Sequence, residues 1–64
     1  MMDGRNLFSD FLGSIVKAPY REGDLYKIAK GTLVDVNEGF VRIQGRLGTQ
    51  KIKTKYIESM SKVL

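Results

Sequence analysis

Between Gly31 and Gly45 the chain reads GTLVDVNEGFVRIQG, two runs of alternating apolar and polar residues that meet at Asn37-Glu38-Gly39. Alternation with a period of two marks a half-buried strand, and a break rich in Asn and Gly between two such runs predicts a tight turn. The pattern therefore predicts a hairpin. In residues 32–36 it sets Thr32, Val34 and Val36 on one face, with Leu33 and Asp35 on the other. In residues 40–44 it turns Val41 and Ile43 inward, and Arg42 and Gln44 outward.

Upstream the period changes. Leu7, Phe8, Phe11, Leu12, Ile15 and Val16 recur at a spacing that gathers them on one side of a helix. Asn6 is placed to cap its first amides, Asp10 favours its positive end, and Pro19 stops it. The prediction is a helix over residues 6–17, a loop over 18–23 and strands from 24 to 64. A first strand holds Leu25, Tyr26 and Ile28, with Gly31 bending it into the next. Gly45-Arg46-Leu47-Gly48 reads as a second turn. Residues 50–57 read as a strand in which Ile52 and Tyr56 oppose Lys51, Lys53 and Lys55. Residues 59–64 form a short last strand. One helix and about five short strands predict a mainly β fold, a small and strongly bent antiparallel barrel of the SH3-like kind.

Length and composition narrow what such a barrel does. Sixty-four residues make a single domain, and a chain this short buries only about 60% of its unfolded surface. Cysteine and histidine are both absent, so neither disulfides nor a zinc site can reinforce it. Self-association is the remaining support, and a homo-oligomer is expected. No cofactor and no small-molecule substrate are expected. Eleven Lys and Arg against seven Asp and Glu give a net charge of +4 and a pI near 9.6, a balance that favours polyanions. No apolar run reaches the length of a membrane span and no secretory leader opens the chain. The expectation is a cytoplasmic protein without a membrane partner.

Enzymatic activity is not expected. Without His or Cys, an acid–base pair would have to come from residues such as Asp35 and Glu38, which stand beside a turn where carboxylates ordinarily serve solubility. The stronger signal is Lys51, Lys53 and Lys55, which alternate and so share one face if they lie on a strand. With Arg42 and Arg46 they can hold phosphates in a salt-dependent manner. Lysines on a strand also keep an edge from pairing wrongly, and on spacing alone the two roles stand level. Phe40, just after the turn glycine, is a candidate stacking platform for a base. Tyr20 and Tyr26 are candidates for exposure, and Phe8 and Phe11 for packing beneath the helix.

The order of elements, with residues 31–41 and 50–63, resembles the Sm-like family of small β-barrels, its Hfq-like bacterial members in particular. Gly31-Thr32-Leu33 leading through Asp35 and Asn37 into Phe40-Val41 is similar to the family's first motif. Tyr56-Ile57-Glu58-Ser59-Met60 is similar to the turn into its last strand. The resemblance implies that the fourth strand of one subunit pairs with the fifth of the next, closing a homo-oligomeric ring that binds single-stranded RNA. The bacterial members carry Tyr-Lys-His where this chain has Lys53-Thr54-Lys55. The residues expected to meet RNA are Phe40, Arg42, Arg46, Lys51, Lys53 and Lys55. A non-enzymatic protein-interaction or assembly module is the alternative, and a small barrel preferring duplex DNA a third reading.

Overall fold

Strand alternation begins earlier than the sequence pattern predicts. The computed structural model describes residues 8–63, and its first strand, β1 (Ile15–Glu22), buries Val16, Ala18 and Tyr20 while Lys17 and Arg21 face outward. The predicted helix over 6–17 is absent from the described residues. Only a single 3-10 turn, Ser9–Phe11, precedes the strand, and Asn6 and Leu7 lie outside the described residues. The predicted loop over 18–23 is also replaced, because all of it except Gly23 belongs to β1. Leu12 and Ile15, assigned to the helix's buried side, are exposed.

Pro19 sits inside this strand for a specific reason. A residue's N and C=O point to the same side of a strand. The Pro19 carbonyl accepts the Glu58 N–H at 2.9 Å, so its missing N–H faces the segment leading into the last strand rather than the β2 ladder. The β2 ladder therefore keeps all its bonds to β1 at this point.

β1 is followed by β2 (Leu25–Val36), β3 (Phe40–Gly45), β4 (Gly48–Lys53) and β5 (Ser61–Lys62). All pair antiparallel in one sheet with the order β4-β3-β2-β1-β5. The sheet is not closed, so the expected barrel is open between β4 and β5. Gly23 and Asp24 link β1 to β2, and Gly23 has the positive φ of 63° that the first position of a tight two-residue hairpin turn favours. The predicted turns at Asn37-Glu38-Gly39 and Arg46-Leu47 are present.

β2 is long because it serves two partners. Its first part pairs with β1, its last part with β3, and Thr32 faces both Ile15 and Gln44. It runs unbroken through Gly31, where β3 passes so close that a β-carbon would lie 2.8 Å from the Gln44 carbonyl carbon. A bulge follows. Leu33 pairs with Ile43 but Asp35 with Arg42, leaving Val34 unpaired. The extra residue resets the alternation. Leu33 is fully buried, Val34 is exposed, and Val36 packs against the core, so Thr32, Val34 and Val36 do not share the predicted face.

The core lies within the curve of the sheet. Val16, Ala18 and Tyr20 from β1 meet Ala29 and Leu33 from β2, and Val41 and Ile43 from β3. Ile52 and Met60 complete it, and Phe8 and Phe11 pack onto it from the 3-10 turn. Val41 and Ile43 thus point inward as their alternation predicts. Tyr20, a candidate for exposure, is buried, and its hydroxyl accepts a hydrogen bond from Gln50 Nε2 at 2.6 Å. That bond joins β1 to β4, which are not neighbours in the sheet. Tyr20→Phe is expected to cost about 1 kcal/mol in urea unfolding, the net worth of a typical hydrogen bond. No helix among the described residues is long and apolar enough to cross a membrane.

Candidate nucleic-acid interface

The β3–β4 hairpin builds the most concentrated basic surface. Its register pairs Phe40 with Lys53, Arg42 with Lys51 and Gln44 with Thr49. Residues directly opposite in an antiparallel pair share a face, as do residues two apart along one strand. All six side chains therefore project from the outer face, while Val41 and Ile52, also paired, point into the core.

Phe40 is half-buried and its ring is the floor of this face. Lys51 Nζ stands 4.5 Å from the ring centroid and Arg42 Cζ 5.3 Å from it. Each such contact contributes about 0.5–1 kcal/mol at an exposed site. The two contacts bias both cations toward the ring. A base stacking on Phe40 must displace or slide beneath them, whereas a phosphate meets both as they stand.

The bulge at Val34 adds a carboxylate. It turns Asp35 to the face opposite Arg42, and Arg42 Nη1 donates to Asp35 Oδ2 at 3.3 Å. Asp35 thereby orients one cation and offsets part of its charge. Two consecutive apolar residues, Leu33-Val34, within an alternating run were the only sequence sign of this bulge.

Phe40, Arg42, Lys51 and Lys53 therefore come together. Lys55 does not continue their row, because β4 ends at Lys53 and residues Thr54–Tyr56 form a 3-10 turn. Its Nζ lies 5.5 Å from the centroid of the adjacent Tyr56 ring. Arg46 is in the β3–β4 turn, about 20 Å from Phe40 along the strand at 3.3 Å per residue, and belongs to a different part of the surface. Tyr26 is exposed on β2, with Arg21 Cζ 5.8 Å from its ring centroid. Glu38 occupies the exposed turn, and Asp35 is engaged with Arg42 instead of with it.

No family model matches the chain, and no curated protein or solved structure matches it.

Proposed function

We propose that the protein is an Sm-like, SH3-like barrel subunit that binds single-stranded RNA in the cytoplasm, without enzymatic activity, and joins copies of itself into a ring. The observation that carries this reading is the outer face of β3–β4, where Arg42 and Lys51 stand over one aromatic ring and Lys53 lies opposite it in the register. Two or three cations beside a ring suit a strand whose phosphates and unstacked bases alternate at close spacing. The strand order supports the ring, since it leaves β4 and β5 as the two edges, the strands that join neighbouring subunits in Sm-like proteins. Pairing them removes both edges at once.

Anisotropy titrations of labelled oligo-U, oligo-A and a DNA duplex across a salt series test the proposal. Three phosphates neutralised per subunit predict a log–log slope near −2, at about −0.7 per phosphate for single strands. Absence of binding at low salt would overturn it, and preference for the duplex would favour the DNA reading. The protein-interaction reading has one observation of its own, the exposed apolar residues Ile15, Ile28 and Leu47 away from the basic face.

A further inference from the structure

Leu47 projects from the β3–β4 turn and is fully exposed. Beside it is an open hollow of about 910 Å³, with Ile15 and Ile28 among its apolar walls. Those two isoleucines are 48% and 55% exposed. Lys30 and Arg46 also line the hollow, and neither forms an ion pair among the described residues. Lys17 lies directly opposite Lys30 in the β1–β2 ladder and adds a third cation on that side. The site is apolar at its centre and positive at its rim.

The β1–β2 turn has the opposite character. Glu22, Asp24, Leu25 and Tyr26 cluster at its tip, with Leu25 59% and Tyr26 55% exposed. Glu22 is paired with Lys27, and Arg21 stands over the Tyr26 ring and pairs with Glu58. Asp24 is thus the tip's one carboxylate without an ion pair among the described residues, set between exposed apolar flanks. Within one molecule Asp24 and Lys30 lie about 20 Å apart along β2, and the apolar residues Tyr26 of the tip and Ile28 of the hollow stand between them.

We propose that the β1–β2 tip of one copy docks in the hollow of the next, with Asp24 between Lys30 and Arg46 and Leu25 against Leu47 and Ile28. Two complementary surfaces on one chain let copies join head to tail or reciprocally about a two-fold axis. The hollow's volume is of the size that encloses a few side chains. The contact leaves Phe40, Arg42, Lys51 and Lys53 free and so stands apart from the RNA reading, while Gln44 of β3 and Gly48 and Gln50 of β4 also border the hollow.

Sedimentation velocity from micromolar to millimolar protein, without nucleic acid, tests it. The wild type is expected to gain mass with concentration. Asp24→Lys and Arg46→Glu should each weaken association at least about tenfold, by setting like charges against one another. An equimolar mixture of the two variants should associate in 1:1 pairs, because the unchanged Asp24 tip of the Arg46→Glu variant meets the unchanged Lys30 and Arg46 of the Asp24→Lys variant. Lys30→Glu serves as a second hollow variant should Arg46→Glu fail to fold. A wild type that stays monomeric throughout would overturn the proposal. So would single variants that associate like the wild type, which would locate the contact at the strand edges or elsewhere, or a mixture that stays monomeric.

Discussion

Replacing Gly31 by alanine is expected to lower the stability of the protein by about 3 kcal/mol or more, from steric overlap and an unfavourable φ together. Gly31 has φ 154°, and an added β-carbon would lie 2.8 Å from the Gln44 carbonyl carbon, closer still to its oxygen, and 3.1 Å from the Gly45 α-carbon. All three neighbours are backbone of β3, so no flexible side chain can swing away. Relief requires β3 to separate from β2 where Thr32 pairs with Gln44. A domain of this length has roughly 3–10 kcal/mol of total stability at ordinary values per residue. The substitution thus removes a large share of it, and the melting temperature should fall by about 12 °C or more. Gly39→Ala is the matched control, because nothing lies within 4 Å of its added β-carbon and its φ is not in the left-handed region. It should change stability by less than about 1 kcal/mol. Equal losses at the two positions in thermal unfolding would show that the close passage of β3 past Gly31 is not what shapes the sheet.

The contrast between these glycines bears on how far the fold could be read from the chain. β3 and residues 50–53 of β4 were legible because Val41, Ile43 and Ile52 alternate with charged or amide residues and each run follows a turn that contains glycine. β1 was hidden. Its true signal is Val16, Ala18 and Tyr20, but Ala18 is small and Pro19 interrupts the run, while Phe8, Phe11, Leu12 and Ile15 happen to complete a helical spacing. The proline is tolerated because its missing N–H faces the chain near Glu58 and not the β2 ladder, a long-range fact with no local trace. The bulge at Val34 was hidden for a similar reason, since Leu33, Val34 and Val36 fit either of two alternations until β3 selects one. The site was legible to the same extent as its strands. Period two placed Arg42 with Phe40 and Lys51 with Lys53, and the hairpin register then joined the pairs. Lys55 and Arg46 fell away because the first lies beyond the strand's end and the second in the turn at its far end.

The open edge gives the lysines two physical uses, and replacing them separates the two. Lys51→Ala with Lys53→Ala is expected to weaken single-stranded RNA binding about 25-fold near 0.1 M salt, at about 0.7 in log–log slope for each phosphate no longer neutralised. The slope per subunit should fall from near −2 to near −0.7, and the variant and wild-type lines should converge toward 1 M salt. The weakening should be nearly even between oligo-U and oligo-A, because cations on phosphate carry no base information. Folding should be little affected, since both side chains are exposed and only the stacking of Lys51 on Phe40, worth about 0.5–1 kcal/mol, is removed. Lysines that only guard the β4 edge predict another outcome. RNA affinity would then be unchanged, while the variant would aggregate as its edge became free to pair with other chains. Arg42 sharpens the comparison, because its salt bridge with Asp35 already offsets part of its charge. Lys51 and Lys53 thus supply most of the uncompensated charge on this face, so removing them is the most direct challenge to the RNA reading.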